Sequence, residues 1–98
     1  MQILFHPRAA DEFRRARQWY RDKDPRTAER FVREMSQALD RILADPDSFA
    51  VFRQEFRQVQ LRRFPYVVSF RIEGDDLIGI YAVSHARRRP GYWRRRRL

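Results

Sequence analysis

The segment from Tyr81 to Arg97 holds the side chains that are best suited to act on another molecule. It contains, in order, a histidine, three arginines, a Pro-Gly turn signal, two aromatics and four more arginines: His85, Arg87 to Arg89, Tyr92, Trp93 and Arg94 to Arg97. Histidine exchanges protons near neutral pH, and the planar donor fork of arginine binds phosphate. Tyrosine and tryptophan stack on bases or fill a partner's pocket. Together they indicate an anionic macromolecule as ligand, without specifying which one.

Positive charge is concentrated in the second half of the sequence. The chain has 22 Lys and Arg against 13 Asp and Glu, a net charge of +9. From Arg53 onward, twelve arginines stand against four acidic residues, so this half carries eight of the nine net positive charges. Codon bias toward arginine would not segregate the excess in this way. The segregation favours a phosphate-rich or acidic partner.

Length and composition limit the class of protein. A chain of 98 residues forms one domain with a modest core. The sequence contains no run of about 18 apolar residues that could span a membrane. Residues 1–5 lack the basic and apolar regions of a secretory signal. A cytoplasmic location is therefore expected. Cysteine is absent and only two histidines occur, so we expect no disulfide, no metal site and no cofactor.

The first half of the sequence predicts one strand and two helices. Residues 2–5 form a short strand that ends before Pro7, which can open a helix. Apolar residues at three- and four-residue steps predict an amphipathic helix from about Arg8 to Arg21. Asp24 is a suitable N-cap for a second helix from about Arg26 to Ala44. The short connection predicts an antiparallel helical hairpin.

From about Arg57 the apolar residues follow a period of two. A short strand precedes Pro65, and two further strands, Tyr66 to Ile72 and Leu77 to Ser84, flank an acidic turn with one glycine. The predicted fold class is α+β: an N-terminal strand, an antiparallel two-helix hairpin and a three-stranded antiparallel meander, with the helices packed on one sheet face. Residues 1–93 are expected to form a single domain, followed by a basic, frayed tail at 94–98.

The two helices can cover only one face of this sheet. An antiparallel sheet can leave its second face in solvent, and the alternation assigns Arg62 and Arg71 to that face. His85 and the terminal arginines would lie at its border. We therefore expect one basic surface opposite the helices that holds Arg62, Arg71, His85 and Arg88.

Several motifs together resemble the RelE/ParE superfamily of toxins from bacterial toxin–antitoxin modules. One is the order of elements, with Trp19-Tyr20 at the end of the first helix. Another is Phe64-Pro65-Tyr66 at the start of a strand, and the third is His85 followed by Arg88-Arg89-Pro90-Gly91-Tyr92-Trp93. The resemblance covers nearly the whole chain. It implies a growth-inhibiting toxin whose partner is a cognate antitoxin with acidic and apolar residues.

The resemblance implies two alternative targets. One branch of the superfamily cuts messenger RNA on the ribosome without metal, using basic residues and often a histidine, tyrosine or carboxylate. The other branch poisons DNA gyrase and is not known as a nuclease. Arg62 or Arg63 lies near the strand arginine of nuclease members, and His85, Arg88 and Tyr92 resemble their late residues. The lysine pair of some nucleases is absent, and a late histidine followed by arginine occurs in gyrase-type members too.

If the chain is a metal-independent endoribonuclease, it needs a base, an acid and cations beside the phosphoryl group. The predicted catalytic residues are His85, Arg62, Arg88 and Tyr92, with Glu55 as an alternative to Tyr92 for the second proton transfer. The predicted nucleic-acid-binding residues are Arg57, Arg63, Arg71, Arg87, Arg89 and Trp93. Structural roles compete with these: His85 can be a hydrogen-bonded strand end, and Tyr92 and Trp93 can pin the tail onto the sheet.

Three functions are therefore considered. The first is a toxin that cuts mRNA in a ribosome-dependent manner, and the second is a DNA gyrase inhibitor without nuclease activity. The third is a non-catalytic nucleic-acid-binding module, which the Phe-Pro-Tyr and Pro-Gly-Tyr-Trp motifs disfavour. Between the first two, the missing lysine pair favours gyrase, whereas the cluster of histidine, arginine and tyrosine favours cleavage.

Overall fold

A computed structural model describes all residues from Met1 to Leu98. Its elements are β1 (Gln2–Phe5), α1 (Pro7–Lys23), α2 (Pro25–Ala44), β2 (Arg57–Gln60), β3 (Tyr66–Ile72) and β4 (Leu77–His85), with a short 3-10 turn at Pro46–Ser48. The sheet has the order β1-β4-β3-β2, in which β1 runs parallel to β4 and the other pairs are antiparallel. The predicted α+β fold class is confirmed. Neither helix has the length and apolar composition that a membrane crossing requires.

Two capping side chains define the helical hairpin. The Nδ1 atom of His6 accepts the N–H of Arg8 at 3.0 Å, and Pro7 occupies the first helical position. Asp24 ends α1 with its own N–H, which donates to the carbonyl of Tyr20, and begins α2 by accepting the N–H of Arg26 at 3.0 Å. Because one residue serves both helices, the chain reverses at once and the helices pack antiparallel.

The main core lies between this hairpin and one face of the sheet. Phe31 of α2 is fully buried, stacks on Phe13 of α1 at 5.4 Å and meets Phe64 edge-on at 5.3 Å. The other buried members come from both helices and all three meander strands, and include Met35, Ile42, Val68, Phe70, Ile78 and Ile80. The apolar stripes that predicted the helices are therefore the surfaces that hold them on the sheet.

A β-bulge at Tyr81 reverses the facing of the end of β4. Ser69 pairs with Ala82 and Phe70 pairs with Ile80, so Tyr81 has no partner on β3. Ile80, which precedes this extra residue, packs beneath the helices, and Val83, which follows it, packs there too. In a regular strand Ala82 would face the helices, but here it faces the opposite side of the sheet. His85 lies two residues beyond Val83 and therefore also faces the helices.

The second face of the sheet is covered by a smaller apolar cluster, which we call the tail cluster. It consists of Phe56, Tyr81, Ala82 and Trp93, all buried. The Trp93 ring meets the ring of Phe56 at 4.7 Å, and Phe56 meets Tyr81 at 4.9 Å. The prediction that this face is open to solvent is wrong here. The chain covers it with the loop before β2 and the segment after β4, neither of which has a periodic pattern.

The tail is fixed at Arg96, which differs from the predicted frayed end. The Arg96 side chain is only 10% exposed and donates to both carboxylate oxygens of Glu12 and to the carbonyl of Tyr81, at 2.9 to 3.0 Å. Leu98 reaches back over Gly79, where an added Cβ would lie 2.6 Å from Leu98 Cδ1. An arginine and a leucine thus hold the tail against β4.

Candidate functional site

An aromatic groove opens between α1 and the end of β4. Its volume is about 600 Å³, and its lining includes Ala16, Trp19, Tyr20, Pro65, Tyr66 and Val83, with Arg15, His85 and Arg88 as basic members and Glu12 as the acidic one. Trp19 is 56% exposed, and the Lys23 ammonium lies 5.1 Å from the centre of its ring. Large apolar rings in a concave surface with a basic rim are suited to a partner's apolar side chains flanked by carboxylates.

His85 lies in this groove as a half-buried residue. Its ring meets that of Tyr66 edge-on at 5.3 Å, and its Nδ1 accepts the N–H of Arg87 at 3.1 Å. Burial raises the pKa of Tyr66 above its ordinary value, so the phenol beside His85 is neutral near pH 7. The histidine is therefore anchored through Nδ1 at the strand end and can present Nε2 to the groove.

Glu12 of α1 joins three segments of the chain in what we call the Glu12 cluster. Its carboxylate accepts the Val83 N–H at 3.0 Å, two donors of Arg96 and the hydroxyl of Tyr92, and Arg88 lies 3.8 Å away. Arg88 also covers the Tyr92 ring at 3.8 Å from its centre. Because β1 ends at Phe5, the Val83 N–H has no strand neighbour on that side, and Glu12 satisfies it.

Opposing effects set the charge of the Glu12 cluster. Burial of Glu12 disfavours its ionised form, but the hydrogen bonds from Arg96, Tyr92 and the Val83 N–H outweigh that effect and lower its pKa. Burial, together with the hydrogen bond to Glu12, raises the pKa of Tyr92 to about 12. At neutral pH the cluster is a carboxylate, a phenol and two guanidinium groups. At neutral pH Tyr92 is therefore protonated, and its hydroxyl is bound to the ionised Glu12 carboxylate.

A second carboxylate is bound in a similar way on the opposite sheet face. Glu73 accepts two hydrogen bonds from Arg71, at 2.9 and 3.0 Å, and one from the Tyr81 hydroxyl at 2.6 Å. The Arg71 guanidinium lies over the rings of Phe56 and Tyr81. Burial and the bond to Glu73 raise the pKa of Tyr81 to about 12, and these donors lower the pKa of Glu73 against its own burial. Arg71 thus holds a carboxylate of its own chain.

A basic groove lies beside this pair, between the end of the sheet and the tail. Its volume is about 790 Å³, and its lining comprises Gln54, Phe56, Arg71, Glu73, Tyr81 and the tail from Arg94 to Leu98. The tail arginines Arg94, Arg95 and Arg97 are exposed. This groove is where the positive charge of the tail is concentrated.

The predicted site residues do not form one surface. Arg71 lies on the face under the tail, whereas His85 and Arg88 line the aromatic groove on the helix side. The prediction that Arg62, Arg71, His85 and Arg88 share one face is therefore wrong for Arg71. The cause is the bulge at Tyr81, which turns His85 away from the face that regular alternation would give it.

The remaining predicted residues divide into structural and exposed ones. Arg57 is mostly buried, donates to the carbonyls of Asp47 and Phe49, and lies 3.6 Å from the Asp47 carboxylate, so it fixes the loop after α2. Trp93 is 1% exposed and cannot stack on a base, so its assignment to nucleic-acid binding is wrong. Five others are exposed on loops: Arg62, Arg63, Arg87, Arg89 and Glu55. Arg63 adopts a left-handed backbone with φ 67° and lies beside α2.

Glu12 and Glu73, the two carboxylates that bind the arginines and tyrosines of these clusters, are absent from the site residues predicted from the sequence. Glu12 does carry a signal. It lies three residues after Ala9 and four before Ala16, both buried, and so belongs to the apolar face of α1. A carboxylate on such a face needs a cationic partner. For Glu73, placed in a turn rich in acidic residues, the sequence offers no comparable signal.

Comparison with known proteins gives a family and a fold. A family model described as ParE toxin of type II toxin-antitoxin system, parDE, matches residues 3–90. Among solved structures, the chain is similar to one described as the chromosomal ParDE TA system from P. aeruginosa, with a TM-score of 0.74 and 19% identity over 87% of this chain and 95% of that one. At this identity the likeness concerns the fold. No curated protein matches the sequence.

Proposed function

Because the chain belongs to the ParE family of type II toxins, we propose that it inhibits growth by binding DNA gyrase and not by cutting messenger RNA. The predicted RelE/ParE membership is confirmed, and the toxin–antitoxin context makes a cognate antitoxin its partner. The choice of gyrase over the ribosome is our proposal. It rests on the arrangement of the groups that cleavage would require.

The observation that carries this proposal is the separation of the candidate nuclease residues. Cleavage by an RNA 2′-hydroxyl needs an acid, a base and phosphate-binding cations around one phosphoryl group. Here the Tyr92 hydroxyl is bound by Glu12, and Arg71 holds Glu73 on the sheet face that His85 does not share. Neither the Tyr92 hydroxyl nor Arg71 is therefore free to act together with His85 on one phosphoryl group. A toxin that acts by binding a protein needs no such convergence.

One observation favours the alternative of ribosome-dependent mRNA cleavage. His85 is partly accessible in the aromatic groove, and Arg88 lines the same groove. A histidine with a neighbouring cation could transfer a proton to an RNA placed there by the ribosome. The substitution His85→Ala separates the two functions because proton transfer by a placed side chain contributes about 10² to 10⁴ in rate.

The test follows both targets in the same cells. The chain and its His85→Ala variant are each expressed without antitoxin, while chromosome breakage and the integrity of messages are measured together. We expect DNA damage before any message cleavage, and we expect His85→Ala to remain toxic. Early cleavage of messages by the wild type, lost in His85→Ala, would overturn the gyrase proposal. Purified gyrase acting on plasmid DNA with each protein provides the direct measurement.

We also place the antitoxin in the aromatic groove. Trp19 and Tyr20 offer apolar rings there, and Lys23, Arg15 and Arg88 add positive charge around them. A toxin with a net charge of +9 favours an acidic partner segment, and such segments commonly fold as they bind an apolar surface. The complementary antitoxin segment is therefore one with large apolar side chains spaced between carboxylates.

A further inference from the structure

The tail forms one wall of the basic groove because it is held at two points. Arg96 is bound by Glu12 and the carbonyl of Tyr81, and Leu98 packs over Gly79. The arginines between and beside these anchors, Arg95 and Arg97, are thereby given fixed backbone positions. Their charged side chains therefore extend from defined positions, unlike those of a disordered tail.

Three arginines of this tail have no acidic partner. Arg94, Arg95 and Arg97 are exposed, and the ion pairs of the structure involve Arg96 alone among the tail arginines. The carboxylate that lines the basic groove, Glu73, already accepts three hydrogen bonds from Arg71 and Tyr81. The groove therefore presents cationic donors with no carboxylate free to neutralise them.

The basic surface continues on the other side of the tail. A second hollow of about 480 Å³ is lined by His6, Arg8, Arg88 and Tyr92 together with the same tail arginines, Arg95 to Arg97, and no acidic residue lines it. The tail is thus a ridge of arginines between two cationic hollows. Positive charge extends along a track and is not confined to a single pocket.

From this arrangement we infer that the tail ridge and its two hollows bind the phosphate backbone of duplex DNA. A track of arginine forks matches a ligand whose negative charges repeat at short, regular spacing, as duplex phosphates do. An acidic peptide would require apolar contacts between its charged side chains in order to bind. The apolar members of the basic groove lining are Phe56, Tyr81 and the terminal Leu98, and the first two are buried. Contacts of this kind give affinity without sequence preference.

The choice of DNA rests on the proposed function, because gyrase acts on duplex DNA and a toxin bound to it lies near that duplex. The ridge would then hold the toxin on the enzyme–DNA complex through contacts to both components. Arg94, Arg95 and Arg97 would serve as phosphate ligands, and Arg96 and Glu12 as positioning residues.

The experiment compares two triple variants that lose the same charge. One is Arg94→Gln, Arg95→Gln and Arg97→Gln, which leaves Arg96 in place. The control is Arg17→Gln, Arg21→Gln and Arg33→Gln, three exposed helical arginines outside the ion pairs of the structure. Binding of the purified full chains to a fluorescent 20-base-pair DNA duplex is measured at several salt concentrations. Thermal unfolding verifies that both variants are folded.

We expect the tail variant to bind about 100-fold more weakly at 0.1 M salt, and its salt slope to fall by about three, one unit for each lost phosphate contact. The control variant should keep a slope close to that of the wild type. Equal losses in the two variants would overturn the inference, because net charge alone would then account for binding. Tighter binding of the wild type to a polyglutamate peptide, or to single-stranded RNA of equal length, would also overturn it.

A gyrase assay separates this inference from the proposed function. If the wild type and the tail variant inhibit gyrase equally and bind DNA equally, the DNA-binding ridge is wrong and the gyrase target stands. If the wild type leaves gyrase unaffected while its DNA binding depends on the tail arginines, the gyrase target is wrong and the ridge stands.

Discussion

Glu12 is a carboxylate on the apolar face of a helix, and it is only 13% exposed. A buried charge of this kind is stable only when it is paired and hydrogen-bonded. Glu12 meets both conditions with groups from two distant segments, the Val83 N–H of β4 and the side chains of Tyr92 and Arg96. Glu12 thus binds the end of the chain at Tyr92 and Arg96, in addition to the contacts that Trp93 and Leu98 make.

Replacing Glu12 by glutamine should destabilise the protein by about 2 kcal/mol, because hydrogen bonds to a charged group are the stronger ones and Arg96 would be left unpaired. The midpoint of urea unfolding measures the effect. Asp11→Asn is the control, since Asp11 forms exposed ion pairs with Arg14 and Arg15 that contribute less than about 1 kcal/mol. Equal shifts for the two variants would contradict the structural role of Glu12.

The same comparison has a defined pH dependence. The folded state lowers the pKa of Glu12 below its ordinary value of 4.5, so its contribution is fully present above that value and is lost as pH falls through the lowered pKa. The difference in stability between wild type and Glu12→Gln should therefore be constant near pH 7 and shrink in acid. A difference that grows in acid would contradict this assignment.

All four tyrosines should titrate late in the folded protein. Burial raises the pKa of Tyr20 and Tyr66, and burial with a bond to a carboxylate raises the pKa of Tyr81 and Tyr92 to about 12. Absorbance at 295 nm should show less tyrosinate at pH 10 in the native state than in denaturant, where the midpoint lies near 10. The stability that these phenols contribute is present below pH 10 and is lost as pH rises through their raised pKa values, about 12 for Tyr81 and Tyr92. Tyr81→Phe and Tyr92→Phe should each remove one late transition.

At the scale of elements, the helices and central strands could be predicted from the sequence, whereas the facing of β4 could not. Capping residues and apolar spacing placed both helices within two residues of their observed ends, because these signals are local. The bulge at Tyr81 has no local signal, since Tyr, Ala, Val and Ser all suit a regular strand. Its position depends on how β4 pairs with β3, and so the predicted site combined residues from opposite faces.

The position of the tail against the sheet could not be predicted from the sequence, for a related reason. Four consecutive arginines are typical of a solvated end. The residues that hold this segment are distant in sequence: Glu12 binds Arg96, Gly79 lies under Leu98, and Phe56 packs on Trp93. Only Tyr92 and Trp93 indicated an anchored tail, and the anchoring alternative was the correct one for Trp93. Long-range packing, which periodicity does not encode, decides the structure of this segment.

Trp93→Ala should lower the free energy of unfolding by about 3 to 5 kcal/mol, because it removes the largest side chain of the tail cluster. Urea unfolding measures the loss, and protease sensitivity of the end of the chain reports whether the tail is released. Trp19→Ala is the matched control, since removal of this exposed ring should lower the free energy of unfolding by about 0.5 kcal/mol or less. A small loss for Trp93→Ala would mean that the second sheet face is not covered as described.

Gly79→Ala tests the docking of the last residue. An alanine Cβ there would lie within 3 Å of Leu98 Cδ1, Glu73 Oε2 and Tyr81 Cε1, so these side chains must shift. We expect overpacking to lower the free energy of unfolding by about 1 to 3 kcal/mol. We also expect carboxypeptidase to release Leu98 faster. Gly74→Ala provides the control because nothing lies within 4 Å of its added carbon. Equal digestion of the two variants would argue against the contact.

At the scale of the whole molecule, the protein carries two surfaces of different chemistry. One is the aromatic groove with its mainly basic rim, and the other is the ridge of tail arginines between two hollows. One suits a partner protein and the other suits a polyanion. Arg88 lines both the aromatic groove and the second hollow, but Arg94, Arg95 and Arg97 do not line the aromatic groove. An antitoxin bound in the aromatic groove therefore need not displace every contact of the arginine ridge.

Trp19→Ala should therefore weaken antitoxin binding without reducing toxicity in its absence. A half-exposed tryptophan in an apolar groove is a typical binding hot spot, and its truncation costs about 2 kcal/mol or more, roughly 30-fold in affinity. Calorimetry with the product of the neighbouring reading frame measures the change. Val51→Ala is the control, because Val51 is similarly exposed, at 53%, and lies outside the groove lining. If Trp19→Ala binds as tightly as Val51→Ala while both are folded and toxic, the antitoxin occupies another surface.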